Sequence, residues 1–593
     1  VYYDRKSGCR MIKKLNYIFT RKEKMQLLGV FLLILVGSFM ELLGVSVFLP
    51  FIQVMMEPER VQGEASLRRI YEWFHFQSTD QFLIALGGMI CIVYILKNSY
   101  LTVMQNAMLK FSYKTRMQLA TKLLSTYMAE PYTFHLNRNI SELQRSLQYD
   151  TGQFMQLINA SLQVLAEVAV VLCLGIYLFY TSPTISIVIL GLVVICVGFF
   201  TLLSRKYSRR IGKQNEAYNA QLYQWINQSL GGIKEVKVLN RESFFVDSYK
   251  DVYKKLIKGA KNNEMLATIP KYILETVCIV GMIIAVIAKL LWGRRDLTAF
   301  VVQMSAFAVA AFRLLPSVGK INAYVNSIMY CRPALDLIYE DLKAIEDFVP
   351  EEQEEVKDKA ETWHLKDKIE LKDISYTYED AEKEVLGNIE LTIHKGETVA
   401  LIGSSGAGKT TLADVFLGLL IPQRGQILVD GMNIYDHMDS WHHMLGYIPQ
   451  SIYLSDDTIR NNVAFGIRDE DIDDAAVEEA LKKAQLYDFV QTLDKGVDTF
   501  VGDRGVRLSG GQRQRIGIAR ALYYDPEILV LDEATSALDN ETETAVMEAI
   551  ESLKGLKTMV IIAHRLTTIR NADQIYEVTE GQAVLRRKED VLQ

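Results

Sequence analysis

The sequence predicts a multidomain chain in which an α-helical transmembrane domain of six spans is fused to an α/β phosphate-binding domain with a parallel sheet. Two observations support this fold class. Long apolar stretches crowd the first half of the chain and end at about Val325, and a glycine-rich loop later stands between an apolar run and a helix-like run. Roughly 20 apolar residues are enough to cross a bilayer as a helix, and the order strand, loop, helix is the setting in which phosphate groups are bound.

The transmembrane domain is predicted over residues 1–340. We expect Met11 to be the natural start, with residues 1–10 outside the fold and no secretory signal. The six spans are predicted at residues 27–54, 82–104, 154–180, 185–203, 269–291 and 299–325.

Positive charge is distributed unevenly among the connections between these spans. Two connections are rich in basic residues, the one after the second span and the one after the fourth, whereas the connections on the opposite side hold few. Because basic loops remain on the cytoplasmic side, we expect both termini to be cytoplasmic. The basic residues are Lys110, Lys114, Arg116, Lys122, Arg138 and Arg145 after the second span, and Arg205, Lys206, Arg209, Arg210 and Lys213 after the fourth.

An acidic linker is predicted at residues 341–367, followed by a nucleotide-binding domain at residues 368–593. The centre of the linker, Glu351 to Glu355, is typical of a solvated segment. The net charge is -6 and no basic stripe is present, so we expect no nucleic-acid partner. The six cysteines show no paired spacing, and neither a disulfide nor a metal site is expected among them.

The glycine-rich loop fits the Walker A pattern G-x-x-x-x-G-K-[ST] between the apolar run Thr398 to Ile402 and the helix-like run Thr411 to Leu420. In this pattern backbone N–H groups surround a phosphate, the lysine reaches the terminal phosphates and the hydroxyl binds Mg²⁺. Alone, the pattern indicates only that a nucleotide binds. The predicted nucleotide-binding residues here are Gly403, Ser404, Ser405, Gly406, Ala407, Gly408, Lys409, Thr410 and Thr411, with Thr410 also a Mg²⁺ ligand.

A second apolar run, Ile528 to Leu531, ends in Asp532 and Glu533. Carboxylates at the carboxyl end of a parallel strand point into the nucleotide crevice. We expect Asp532 to organise Mg²⁺ and Glu533 to polarise the attacking water, because phosphoryl transfer depends on positioning and charge neutralisation. The alternative is a solvated acidic pair that ends the strand.

The segment Leu508-Ser509-Gly510-Gly511-Gln512 provides a second signature, and with the Walker A loop it resembles the ATP-binding-cassette (ABC) superfamily. The alternative is a Gly-Gly turn before an ordinary helix. The resemblance implies that Ser509, Gly510, Gly511 and Gln512 contact ATP held by a partner cassette. It further implies that Asp539, at the end of the partner-contacting segment Ala534 to Asp539, binds nucleotide, and that His564 contacts the γ-phosphate with a catalytic role. Gln450 is implied to bind both nucleotide and Mg²⁺, and Tyr378 is implied to stack on adenine. Strand alternation cannot separate Tyr378 from Tyr376.

Six spans followed by one cassette resemble the half-transporter layout of type IV (type I) ABC exporters, and Val501 to Gly505 resembles the x-loop of exporters. The resemblance implies short coupling helices near residues 130–135 and 231–237. Since one chain has only one cassette, it also implies a homodimer, or a heterodimer with another half-transporter, with two equivalent ATP sites.

Of the cations that fall within the predicted spans, Lys97, Lys271 and Arg313 stand out. Ionisable residues within a bilayer normally face a cavity or a partner. The segments Tyr94 to Tyr100, Ile269 to Glu275 and Ala311 to Lys320 resemble the lipid-linked oligosaccharide flippases of bacterial N-glycosylation, with lysine at two arginine positions. This implies a bacterial cytoplasmic-membrane flippase whose three cations contact a polyprenyl-diphosphate glycan. The alternative is that Lys97 and Lys271 snorkel or pair with Glu275.

Other functions remain open from the sequence. The same scaffold serves multidrug, peptide and lipid exporters, and a similar cassette serves ATP-gated channels and regulatory membrane receptors. Three cations favour an anionic amphiphile over a drug, and Glu533 favours a hydrolysing transporter over a channel.

Overall fold

A computed structural model describes residues 11–56, 69, 71–73, 76, 78–181, 183–292, 297–346, 363–379, 381, 383–533, 540–563 and 569–591. The chain divides into two compact units, a helical unit within residues 1–130 and 134–352 and an α/β unit within residues 131–133 and 353–593.

The helical unit consists of long helices joined by short ones. Each of the six predicted spans lies within one long helix, and three helices in the described part of the chain are long and apolar enough to cross a membrane, within residues 21–44, 80–129 and 140–177. Several side chains of the last three predicted spans lie outside the described residues. The helices are α1 (residues 11–18), α2 (Arg21–Met56), α3 (Thr79–Ala129), α4 (Tyr132–Asn137), α5 (Ile140–Arg145), a π-helical turn (Ser146–Asp150), α6 (Thr151–Thr181), α7 (Pro183–Gly231), α8 (Ile233–Val238), α9 (Glu242–Trp292) and α10 (Leu297–Glu346).

Four of these helices are much longer than a bilayer is thick. Helices α3 and α9 each contain 51 residues, which at 1.5 Å per residue is about 75 Å, against roughly 30 Å for the hydrocarbon core. The spans therefore continue as helical extensions outside the membrane. Buried side chains of α1, α2, α3, α6 and α10 form one apolar core, with Ile34, Met108, Phe154, Leu157 and Leu335 each at most 1% exposed.

The α/β unit contains two sheets. An antiparallel sheet has the order β2-β1-β4-β5, from β1 (Lys368–Tyr376), β2 (Leu386–His394), β4 (Arg424–Val429) and β5 (Met432–Asn433). The second sheet has the order β10-β9-β3-β8-β7-β6, from β3 (Thr398–Ile402), β6 (Leu445–Ile448), β7 (Ile528–Asp532), β8 (Thr558–Ile562), β9 (Gln574–Thr579) and β10 (Gln582–Arg586). All its neighbouring strands are parallel except β10, which is antiparallel to β9.

The central strands are apolar throughout because both of their faces are buried. In β7, Ile528 and Val530 belong to one apolar cluster, and Leu529 and Leu531 belong to another on the opposite face. The helices of this unit are α11 (Lys409–Phe416), α12 (Met438–Met444), α13 (Ile459–Val463), α14 (Asp474–Lys483), α15 (Tyr487–Gln491), α16 (Gly510–Leu522), α17 (Asn540–Glu551) and α18 (Lys588–Val591).

Candidate functional site

The Walker A loop joins the carboxyl end of β3 to the first turn of α11 and depends on glycine at Gly403. This residue has a φ of 143°, and a Cβ atom there would lie 2.2 Å from the carbonyl oxygen of Val578 in β9. Gly408, with a φ of 103°, ends the loop at the N-terminus of α11. Because backbone N–H groups at a helix start are unpaired, the end of the loop presents them to an anion.

Lys409 lies at the base of this loop and is only 5% exposed. Its Nζ atom donates hydrogen bonds to the carbonyl oxygens of Gly403 and Ser404, both at 2.9 Å. Burial lowers the pKa of the Lys409 ammonium, while the charges of Glu533 and Asp532 act in the opposite direction. The ammonium group thus lies within the loop, where it can reach phosphate oxygens bound by the loop.

The carboxyl ends of β6 and β7 bring three polar residues together. Asp532 is the last residue of β7, and Glu533 follows it with a φ of 46°, a left-handed conformation uncommon for residues other than glycine. The backbone N–H of Glu533 donates to the carbonyl oxygen of Ile562 in the neighbouring strand β8 at 3.1 Å. Gln450 Nε2 donates to Glu533 Oε2 at 2.7 Å, a link that sequence analysis did not foresee.

The residues at this edge fit a Mg²⁺ ion. The hydroxyl of Thr410 and the amide of Gln450 are exposed, and Asp532 is 8% exposed. Among the described residues, no group of three or more His, Cys, Asp or Glu could hold a metal by itself. A hydroxyl, an amide and a single carboxylate suit Mg²⁺, which is commonly bound by one or two carboxylates together with substrate phosphates.

The two tyrosines that alternation could not separate differ in burial. Tyr376 ends β1 at 5% exposure within the apolar core, whereas Tyr378 lies beyond the strand and is half-buried. Their rings make an edge-to-face contact with centroids 5.1 Å apart, and Tyr378 shares a hydrogen bond with the hydroxyl of Thr411 at 3.1 Å. Only Tyr378 combines a partly accessible ring with a contact to the residue that follows the Walker A loop, which favours it as the adenine-stacking residue.

The second signature forms the N-terminus of α16. Ser509 caps this helix, because its hydroxyl accepts a hydrogen bond from the N–H of Gln512 at 3.2 Å and the Gln512 side chain accepts one from the N–H of Ser509 at 2.8 Å. This reciprocal pair is a capping box. The preceding segment is anchored to the same helix, since Arg513 donates to the carbonyl oxygens of Gly505 and Leu508 at 3.3 and 3.0 Å.

Two predicted residues of the nucleotide site, Asp539 and His564, lie outside the described part of the chain. His564 is nevertheless two residues past the end of β8, the strand between β3 and β7.

Two of the predicted cargo residues, Lys97 and Lys271, differ in their burial and in their contacts. Lys97 is 5% exposed, pairs with Glu41 of α2 at 3.2 Å, and lies 4.7 Å from the ring centroid of Tyr94. It therefore neither snorkels nor pairs with Glu275, because α2 packs beside α3 and supplies a closer carboxylate. Lys271 is exposed, with its Nζ atom 5.9 Å from the ring centroid of Tyr272. The side chain of Arg313 lies outside the described residues.

A cavity of about 820 Å³ lies among α2, α3, α6 and α10 of the helical unit. Its wall includes Glu41. An ion pair and a hydrogen bond join neighbouring helices at this wall. Lys320 of α10 pairs with Glu167 of α6 at 2.8 Å, and the Gln163 amide donates to Gln105 at 2.8 Å. Apolar side chains such as Ile34, Leu101 and Val170 form the rest of the wall. The cavity thus combines apolar surface with fixed polar groups.

Comparisons with known proteins agree with both halves of this description. Residues 386–536 match the family described as ABC transporter, and residues 27–288 match the family described as ABC transporter transmembrane region. The ATP-dependent lipid A-core flippase of Pectobacterium atrosepticum is 32% identical over 478 residues, covering 80% of this chain and 80% of that protein. The chain belongs to the ABC transporter family.

Two further similarities fit this ABC transporter. The ATP-dependent lipid A-core flippase of Escherichia coli K12 is 31% identical over 477 residues, which is 80% of each chain. A solved structure described as a bacterial Atm1-family ABC exporter with ATP bound has a TM-score of 0.74 and 24% identity, and each chain covers 96% of the other. The predicted fold class and the predicted family are therefore confirmed. This ABC transporter is a half-transporter exporter, an integral membrane protein with one ATP-binding ATPase cassette.

Proposed function

We propose that two copies of this ABC transporter form an ATP-driven flippase for an anionic glycolipid in the bacterial cytoplasmic membrane, with both termini in the cytoplasm. The observation that supports this cargo class is the cavity among α2, α3, α6 and α10. Its apolar wall also contains the ion pair of Lys320 and Glu167, and Glu41, whose carboxylate pairs with Lys97 behind the wall. An amphiphile has both the apolar and the polar surface that such a wall can accept.

The energy source of the proposed flippase is ATP hydrolysis at the Walker A loop. The N–H groups of the loop and the Lys409 ammonium bind the phosphates, and Tyr378 stacks on the adenine. Glu533 orients the attacking water, with its carboxylate held by Gln450. Mg²⁺, bound by Thr410, Gln450 and Asp532, would neutralise charge on the phosphates. Ser509 to Gln512 of the other copy would complete each site at the N-terminus of α16.

ATP sets the direction of transport through its higher affinity for the state in which the two cassettes are closed. Each ATP would then join the Walker A loop of one copy to the capped helix of the other. Hydrolysis at Glu533 removes the γ-phosphate contacts that favour the closed state, so the transporter returns to its starting state.

Within the anionic glycolipids, we propose a lipid-linked oligosaccharide as the specific cargo, on the resemblance of the segments around Lys97, Lys271 and Arg313. A lipid A-core molecule is the rival, because relatives at 31% and 32% identity are named for it. Both cargoes carry phosphate and sugar on a lipid, so the shape of the cavity alone does not separate them. A paired lysine that exchanges its carboxylate partner for a lipid phosphate would bind either cargo.

Flipping in proteoliposomes tests the proposal. Purified transporter is reconstituted with a fluorescent polyprenyl-diphosphate oligosaccharide, with fluorescent lipid A-core, or with a fluorescent neutral glycolipid, and ATP-dependent loss of accessibility to a membrane-impermeant quencher is measured. We expect flipping of the first cargo, slower flipping of the second and none of the third. Equal flipping of the neutral lipid, or ATPase activity stimulated only by cationic drugs, would contradict the anionic cargo class.

A further inference from the structure

A second groove in the helical unit lies between α1 and the membrane helices α2 and α6. It encloses about 410 Å³, and eight of its ten lining residues are apolar, among them Phe19, Leu28, Phe31 and Leu162. The two polar lining residues are Lys24 and Ser161. The Ser161 hydroxyl donates to the carbonyl oxygen of Leu157 at 2.8 Å, so it adds no unmatched donor to the wall. The groove therefore suits an extended apolar chain.

The groove is preformed because α1 is held firmly against its neighbours. Lys14 Nζ pairs with Asp336 Oδ1 of α10 at 2.7 Å, and Phe19 contacts the rings of Phe111 and Phe154 at centroid distances of 6.2 and 6.3 Å. A capping box fixes the turn between α1 and α2, since the N–H of Thr20 donates to Glu23 Oε2 at 2.8 Å and the N–H of Glu23 donates to Thr20 Oγ1 at 3.3 Å.

The groove opens beside the exposed apolar surface of a candidate spanning helix. Met25, Leu28 and Leu32 of the spanning helix α2 are 74%, 58% and 56% exposed. An apolar surface of this kind on a spanning helix faces acyl chains in the bilayer. The groove between α1 and α2 opens on the same helix, so the occupant that reaches it most directly is an acyl chain of the membrane.

One end of the groove is positively charged. Lys24 forms part of the wall, and Arg21 and Lys22 precede it in the first turn of α2. Glu23, the acidic residue among them, is 7% exposed and is engaged by Thr20. Within the part of the chain that the structure describes, none of these three cations forms an ion pair. Basic pockets beside membrane helices bind anionic lipid headgroups.

We propose that this groove binds one acyl chain of an anionic bilayer phospholipid, with the lipid phosphate beside Lys24. Its lining shares no residue with the cavity that contains Glu41 and Lys320, so this phospholipid is a bound component of the membrane and not the transported cargo. The inference therefore stands independently of the proposed flippase activity. Lys24 acts as the selective residue, because the apolar wall accepts the chain of any phospholipid.

Native mass spectrometry of the full-length transporter, titrated with phosphatidylglycerol or with phosphatidylcholine of the same acyl chains, tests this inference. We expect one phosphatidylglycerol to be retained in preference to phosphatidylcholine. Lys24→Gln should weaken that retention about fivefold, the effect of one basic residue near an anionic surface, whereas Lys24→Arg should preserve it. Lys255→Gln, which removes an exposed cation from the extension of α9, is the matched control and should leave retention unchanged.

Filling the groove provides a second measurement. Leu165→Trp, or Ser161→Phe if the first variant fails to fold, should lower retention of phosphatidylglycerol and reduce photocrosslinking from a diazirine at the end of its acyl chain to residues 157–165. Wild-type rates of ATP hydrolysis in the variants establish that they are folded. Equal retention of the two phospholipids, wild-type retention by folded Lys24→Gln, or displacement of the bound lipid by the cargo glycolipid would overturn the inference.

Discussion

The position of Glu533 is determined by three neighbouring elements at the carboxyl edge of the parallel sheet. Its backbone leaves β7 in a left-handed conformation, with a φ of 46°, and its N–H is paired with Ile562 of β8. Such a conformation costs roughly 1–3 kcal/mol and persists only where the surrounding structure enforces it. The side-chain hydrogen bond from Gln450 then holds the carboxylate beside the Walker A loop.

The substitution Glu533→Gln should retain ATP binding and abolish turnover. The amide keeps the size of the side chain but loses the negative charge that polarises water, and loss of a general base lowers kcat by about a hundredfold or more. ATP hydrolysis and equilibrium ATP binding by the purified transporter provide the two measurements. Glu390→Gln, at an exposed carboxylate of β2, is the matched control and should hydrolyse ATP at the wild-type rate. Near wild-type hydrolysis by Glu533→Gln would remove Glu533 from its proposed role.

Asp414 should make the stability of the cassette depend on pH. Burial, and secondarily the charge of Asp532, raise the pKa of this carboxyl from 3.8 to about 6. Between about pH 4 and pH 6 the folded cassette therefore binds this proton more tightly than the unfolded chain, and the free energy of unfolding contributed by Asp414 falls as pH rises. Asp414→Asn should raise Tm little at pH 4 and more at pH 7.

Thermal unfolding of the nucleotide-free, full-length transporter at both pH values checks this sign. Asp494→Asn, at an exposed position, serves as the control for the general effect of removing a carboxylate. If Asp414→Asn changed Tm equally at pH 4 and pH 7, the raised pKa of Asp414 would not be coupled to folding.

Among the single elements, the start of α16 combines local stability with presentation of a binding surface. Ser509 and Gln512 satisfy each other's backbone N–H groups, so the first turn of the helix is stabilised by hydrogen bonds within the chain. Gly510 and Gly511 stand between them, and Gly510 is exposed. The capping box therefore keeps the first turn in place for the proposed contact with ATP.

Gln512→Ala should loosen this helix start, because it removes the acceptor for the N–H of Ser509. The expected cost is about 1 kcal/mol, the usual value for losing a helix cap. Hydrogen exchange should become faster at residues 509–513 in the nucleotide-free transporter. Gln512→Glu keeps an acceptor that can complete the capping box and should retain wild-type protection. Equal exchange in both variants would show that the side chain of Gln512 does not stabilise the helix.

Over the whole molecule, the sequence alone predicted those parts of the candidate site that lie within one contiguous segment. The Walker A loop, the pair Asp532 and Glu533, and Ser509 to Gln512 each occupy one short stretch, and the structure places each at a strand end or helix start. Each predicted span lies within one long helix, but the apolar stretches do not predict how far the helices extend beyond the spans. Roles that rest on a bound nucleotide or a second copy, including those of Asp539 and His564, stay predictions.

The sequence alone did not predict side-chain contacts between segments that are far apart in the chain. Lys97 and Glu41 are 56 residues apart, and Gln450 and Glu533 are 83 residues apart. Apolar periodicity predicts that a helix or strand forms, but it does not reveal which faces of two helices meet. The same limitation left Tyr376 and Tyr378 unresolved, because only the position of the strand end separates the core residue from the accessible one.

Two cassettes should be necessary for each ATP site, and complementation between two inactive chains tests this. Lys409→Ala removes the phosphate-binding ammonium of the Walker A loop but leaves α16 intact, whereas Ser509→Arg blocks the helix start but leaves the Walker A loop intact. Homodimers of either variant have no complete site. A heterodimer of the two has one site in which both parts are wild type, so tandem purification with two different tags should recover ATP hydrolysis.

The decisive control places both substitutions in one chain and pairs it with a wild-type chain. That heterodimer contains the same set of wild-type and altered parts, yet each of its two sites has one altered part, so it should not hydrolyse ATP. If each chain instead formed a complete site within itself, the wild-type chain of this control would stay active and the first heterodimer would be inactive. The opposite outcomes of the two pairings therefore separate a shared site from a self-contained one by ATP hydrolysis alone.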